Sequence, residues 1–107
     1  MAVAAYTYNV HPLASKEYKD SILWYDEQQE GLGERFLIEF RNKVELILLN
    51  PKIFSSKEIK NYREASMDNF PFVIVYKLYE KKKFVFITSV HHTKRNTKSK
   101  YRRKPDF

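Results

Sequence analysis

The sequence predicts an α+β domain in which a helical hairpin packs on a four-stranded, mainly antiparallel sheet, in the order β-α-α-β-β-β. Two stretches rich in β-branched and aromatic residues, 71–79 and 83–92, flank a short charged loop, which is typical of a β-hairpin. Two stretches with apolar residues at helical spacing, 13–30 and 33–49, precede this hairpin. The chain has 107 residues and is 43% hydrophobic, so it can bury one core.

The remaining elements follow from local signals along the chain. The alternating segment 5–11 predicts a first strand, and Pro12 suits the first turn of the helix that follows. The segment 31–33, which holds the only two glycines, predicts the turn between the helices. The second helix is expected to end before Pro51. The more polar segment 58–67 predicts a strand near the sheet edge.

The last strand carries two adjacent histidines, and its period of two predicts which residues share a face. One face is expected to hold Phe84, Phe86, Thr88, Val90 and His92, and the other Val85, Ile87, Ser89 and His91. The two histidines should therefore project to opposite sides of the sheet. Because helices are expected to cover only one side, we predict a binding groove on the open face.

Positive charge is concentrated near the C-terminus. Residues 94–107 carry a net charge of +6, whereas residues 1–93 carry +1. We therefore predict a single domain at 1–93, with 94–107 as a basic tail that belongs to it. Such asymmetry indicates a polyanionic or acidic partner, and the alternative is a solvated terminus that aids solubility.

Several classes of protein are disfavoured by composition. The chain has no cysteine, so neither a disulfide framework nor a thiolate metal site is expected. No metal site and no cofactor are predicted. No apolar run approaches the roughly 20 residues that cross a bilayer, and the start does not resemble a signal peptide. We therefore expect a cytoplasmic protein without a membrane partner.

Several motifs, in this order along the chain, resemble the RelE/ParE superfamily of type II toxin–antitoxin toxins, which are often described as plasmid stabilisation proteins. The motifs are Asn50-Pro51, Tyr62-Arg63-Glu64, the strand from Phe70 to Tyr76 and the ending from Val90 to Asn96. The resemblance covers nearly the whole chain and is closest to the ParE-like branch. It implies a RelE/ParE-like fold and an antitoxin whose C-terminal segment wraps the toxin.

The resemblance also implies two different activities on one fold. ParE-like members poison DNA gyrase, and RelE-like members cut mRNA in the ribosomal A site. We expect a growth-inhibiting toxin that acts on gyrase or another target and is neutralised by an acidic, partly disordered antitoxin segment. One alternative is a metal-independent, ribosome-dependent endoribonuclease. Another is an inactive module that binds an antitoxin or nucleic acid.

The endoribonuclease hypothesis needs a base, a cation and an acid around one phosphate. His92, Arg63 and Arg95 could supply these groups on the open face, with Glu64 and Tyr101 in support. For His92 the alternatives are a hydrogen bond to a neighbouring backbone carbonyl and contact with an antitoxin. Arg63 and Glu64 could instead form cross-strand charge pairs.

Binding of a target or antitoxin is expected to use the basic tail. The residues predicted to take part are Arg95, Lys98, Lys100, Tyr101, Arg102 and Arg103. An acidic partner on this tail should bind more tightly at low salt.

Overall fold

The computed structural model describes residues 5–57, 59–94 and 103, and in them two helices pack on a five-stranded mixed sheet. The elements are β1 (Thr7–Val10), α1 (Pro12–Gln28), α2 (Leu32–Leu49), β2 (Ser55–Ser56), β3 (Tyr62–Ser66), β4 (Phe72–Tyr79) and β5 (Phe84–His92). The predicted α+β class is confirmed. The predicted count of four strands is wrong, because β2 has only two residues and is too short to show a period in the sequence.

The strands lie in the order β1-β5-β4-β3-β2. The β2–β3, β3–β4 and β4–β5 pairs are antiparallel, and β1 runs parallel to β5. This arrangement places β4 and β5 next to each other near the middle of the sheet. In the described part of the chain, neither helix is long and apolar enough to span a bilayer.

The two helices are joined by a tight turn that depends on glycine. Gly31 has φ of +86°, a left-handed conformation that favours glycine. A Cβ atom on Gly33 would lie 2.4 Å from the carbonyl oxygen of Ile22 in α1, so only glycine allows this close approach. The Gly33 N–H also donates to the Asp26 carboxylate over 2.9 Å. A glycine-dependent turn between the helices is therefore confirmed, but it spans residues 29–31, and Gly33 already belongs to α2.

The main core lies between the helices and one face of the sheet. Phe36 and Ile47 of α2 and Ile74, Tyr76 and Ile87 of the sheet are fully buried there. The Tyr76 hydroxyl donates to the carbonyl of Pro51 over 2.6 Å, and burial raises the pKa of this phenol well above its usual value. Tyr76 therefore ties the sheet to the loop after α2.

A β-bulge in β5 changes the predicted assignment of its faces. Val75 of β4 lies opposite Ser89, whereas the next residue, Tyr76, lies opposite Ile87. Thr88 is therefore an extra residue on β5, and the alternation of side chains shifts at this point. No sequence signal indicated the bulge, because Thr88 fits a regular strand as well as a bulged one.

Beyond the bulge the predicted faces are wrong. Val90 and His92 lie opposite Ile74 and Phe72, which belong to the core beneath the helices. His92 therefore shares the helix-covered side of the sheet, and His91 lies on the other side. The prediction that the two histidines face opposite ways is confirmed, but their sides are exchanged.

The face away from the helices is not open at its centre, contrary to our expectation. Val73, Val75, Ser89 and His91 are all buried on this side. Tyr62 packs with the two valines as a second, smaller cluster. The groove that His91 and His92 line lies elsewhere, along one side of α1.

Candidate functional site

A groove of about 520 Å³ lies between α1 and the C-terminal half of β5, and we call it the α1–β5 groove. Its lining includes Leu13, Lys16, Glu17, Asp20, Ser21 and Trp24 of α1, together with Phe72, Val90, His91, His92 and Arg103. The α1 residues recur at spacings of three and four, so they form one face of the helix. The β5 residues follow the bulge, which brings His92 to this groove.

His92 lies on the wall of this groove and packs its ring edge-on against Phe72, with 5.4 Å between ring centroids. Its Nδ1 atom accepts a hydrogen bond from the backbone N–H of Lys94 over 3.1 Å. A neutral histidine that accepts at Nδ1 carries its proton on Nε2. In this arrangement the Nδ1 atom of His92 is engaged by the Lys94 amide.

A smaller cavity of about 280 Å³ lies beside His92 and is lined by Ser21, Trp24, Tyr25 and Phe72. Tyr25 is partly buried and packs against Phe72 and the core, but Trp24 is 55% exposed. An exposed tryptophan beside a concave surface is a common feature of protein-binding sites. The cavity suits an apolar side chain of a partner.

Glu17 is a central residue of the groove that sequence reasoning missed. Its Oε1 atom accepts from the backbone N–H of Val90 over 3.1 Å and from the Arg103 guanidinium over 2.9 Å. The Ser89 hydroxyl donates to the same oxygen over 3.4 Å. Glu17 was missed because a glutamate on a helix is usually solvated, and the one available signal is its helical spacing from Leu13 and Trp24.

Ser89 lies between two groups that activate serine nucleophiles in other proteins. Its hydroxyl is 3.1 Å from Nδ1 of His91 and 3.4 Å from Glu17. However, the Ser89 side chain has no solvent exposure, so no substrate can reach it. These contacts are therefore structural. Across the described residues no cluster of three or more histidine, aspartate or glutamate side chains could hold a metal ion.

Arg63, a predicted catalytic cation, binds backbone groups of the loop after α2. Its guanidinium donates to the carbonyl oxygens of Lys52 over 3.0 Å and Phe54 over 2.7 Å. Glu64, its predicted supporting carboxylate, lies 3.7 Å from the Lys57 ammonium. Both contacts stabilise the region around β2 and β3.

The structure does not bring Arg63 and His92 together; the third member of the predicted cluster, Arg95, lies outside the described residues, so the catalytic roles stay predictions. Arg63 lies opposite Tyr76, and His92 lies opposite Phe72, four residues away along β4. At roughly 3.3 Å per residue, this separation is about 13 Å along the strand direction. The prediction that these two residues meet failed because sequence alone did not give the strand register.

The predicted binding residues of the tail fall mainly outside the described residues. These are Arg95, Lys98, Lys100, Tyr101 and Arg102, and their roles stay predictions. Arg103 is described, and its side chain is only 11% exposed because it pairs with Glu17. Its role in binding a partner also stays a prediction, but the pair with Glu17 would have to open first.

Comparison with known proteins identifies the class. A family model described as "ParE toxin of type II toxin-antitoxin system, parDE" matches residues 8–97. The chain therefore belongs to this family of toxins of type II toxin–antitoxin systems, and the predicted resemblance to the RelE/ParE superfamily is confirmed. Among curated proteins, none matches the chain at a significant level.

Solved structures show the same fold. The isolated E. coli RelE toxin is 19% identical with a TM-score of 0.65, and the match covers 85% of this chain and 87% of that one. The chromosomal ParDE toxin–antitoxin system from P. aeruginosa is 14% identical with a TM-score of 0.61, and the match covers 84% and 98%, respectively. At these identities the likeness concerns the fold alone.

Proposed function

We propose that this chain is the growth-inhibiting toxin of a type II toxin–antitoxin pair and that it acts without cleaving RNA. Membership of the ParE toxin family supports the first part. DNA gyrase is the first target to test, because the sequence resembles the ParE-like branch most. Gyrase and ribosomes are both cytoplasmic, so the proposed site of action is the cytoplasm.

The position of Arg63 is the observation that carries the non-nucleolytic proposal. RNA cleavage without a metal ion requires a base and a cation within hydrogen-bond reach of one phosphate. Arg63 is about 13 Å from His92 along the strand direction and is held by two backbone carbonyls. The Nδ1 atom of His92 binds the Lys94 amide. Of the predicted catalytic residues, the two that the structure describes, His92 and Arg63, therefore do not meet at one phosphate.

The proposed partner is a cognate antitoxin with an acidic, partly disordered segment. The solved ParDE system is a toxin–antitoxin pair, which supports the expectation of such a partner. The net charge of +7 favours an acidic segment, and exposed Leu13 and Trp24 in the α1–β5 groove offer apolar contacts. Binding should weaken as salt rises, because part of it depends on exposed charges.

Two assays test the proposal. Induced expression without an antitoxin should arrest growth, and co-expression of the antitoxin should restore it. Purified chain should inhibit gyrase supercoiling of plasmid DNA, and antitoxin added in equal amount should relieve the inhibition. Normal growth with folded chain at confirmed levels would contradict the proposal and favour the inactive module. Growth arrest with unaffected gyrase would exclude gyrase and send the search to another target.

A further inference from the structure

One end of the α1–β5 groove contains a pocket for a guanidinium group, and Arg103 occupies it. Nη1 of Arg103 donates to the Glu17 carboxylate and to the carbonyl oxygen of Thr88, each over 2.9 Å. Nη2 lies 3.5 Å from the second oxygen of Glu17. A carboxylate and a carbonyl around one planar cation are the groups that recognise arginine.

The pocket exists because β1 is shorter than β5. β1 pairs with β5 only from Phe84 to Ile87, and the chain then turns into α1. Beyond that point the β5 backbone bonds to side chains instead of to a strand. The Thr88 carbonyl accepts from Arg103, and the Val90 N–H donates to Glu17. The Glu17 carboxylate is fixed by the Val90 N–H, so its position does not depend on Arg103 alone.

Arg103 is an imperfect occupant of this pocket. Its Nε atom is buried and, among the residues that the structure describes, has no hydrogen-bond partner. A buried donor without an acceptor costs free energy. Arg103 is therefore bound more weakly than an arginine whose donors all have acceptors. Arg103 also lines the α1–β5 groove, so a side chain that enters the groove reaches the same pocket.

We infer that Glu17 and the Thr88 carbonyl form an arginine-binding pocket that Arg103 closes in cis. An arginine side chain of a partner protein in the α1–β5 groove would displace Arg103 from it. This inference concerns the binding surface and does not depend on whether gyrase is the target. It predicts that the partner carries an arginine, which would bind next to the apolar contacts that Leu13 and Trp24 offer.

The test uses the full chain with Arg103→Ala and the probe N-acetyl-L-arginine amide. The chain has one tryptophan, Trp24, and it lines the same groove, so its fluorescence reports binding. Arg103→Ala should bind the probe saturably in the millimolar range and show a shifted Val90 amide signal by NMR. Wild type should bind at least tenfold more weakly, because Arg103 competes.

Matched controls make the result specific. Adding Glu17→Gln to Arg103→Ala should abolish binding, and N-acetyl-L-lysine amide should bind more weakly than the arginine probe. If Arg103→Ala does not fold, Arg103→Lys keeps the charge but cannot form the paired contacts, so the probe should displace it. Absence of binding to a folded variant, or equal binding to wild type, would overturn the inference.

Discussion

Replacement of Arg63 by methionine separates a structural role from a catalytic one. The change keeps the aliphatic length of the side chain but removes both hydrogen bonds to the carbonyls of Lys52 and Phe54. The bond to Lys52 is exposed and the bond to Phe54 is partly buried, so together they contribute about 2 kcal/mol. With an unfolding entropy of roughly 2.1 cal/mol/K per residue, Tm should fall by about 9 °C.

The assay combines thermal unfolding by circular dichroism with a growth test at a temperature where both proteins are folded. Arg63→Met should lower Tm and still arrest growth, because we expect Arg63 to stabilise the loop through its two carbonyl contacts and not to act on a substrate. Arg35→Met, at an exposed position on α2, is the matched control and should leave Tm nearly unchanged. An unchanged Tm with loss of growth arrest in Arg63→Met would refute this reasoning.

Four further substitutions test other parts of the structure. Gly33→Ala should lower Tm, because overpacking against the Ile22 carbonyl costs about 1–3 kcal/mol of folding stability and exceeds the gain in helix propensity. Gly31→Asn should lower Tm less, because a Cβ atom at Gly31 meets no neighbour and asparagine tolerates a positive φ. Tyr76→Phe should lose about 1–2 kcal/mol at pH 7, measured by urea unfolding. Because the pKa of Tyr76 is raised in the folded state, the contribution of its hydroxyl to folding stability is complete below the usual tyrosine pKa near 10 and declines at higher pH. The difference in unfolding free energy between wild type and Tyr76→Phe should therefore narrow at high pH. His92→Ala should still arrest growth in plate assays. A loss of toxicity of one hundredfold or more would indicate that His92 is catalytic.

The sequence was sufficient for the elements that have strong local signals. Gly31 and Gly33 marked the helical turn because one needs a positive φ and the other a close approach between helices. The runs at 71–79 and 83–92 predicted β4 and β5 because β-branched and aromatic residues dominate them. These signals also supported the resemblance to the family.

The site was not predictable to the same degree, because it depends on register and on contacts distant in sequence. The bulge at Thr88 decides which side His92 occupies, and a threonine in a strand gives no sign of it. The pair of Glu17 and Arg103 joins residues that are 86 positions apart. The separation of Arg63 from His92 follows from how β3 and β5 align on β4, which no local pattern encodes.

The central claim is that this toxin acts without cutting RNA. Primer-extension mapping of mRNA in a purified translation reaction tests it most directly, with wild type and His92→Ala side by side. We expect the mRNA to remain intact with both proteins when each is added at the concentration at which wild type inhibits gyrase supercoiling. Codon-phased cuts with wild type that vanish with His92→Ala would contradict the account and establish His92 as a residue of a ribonuclease site.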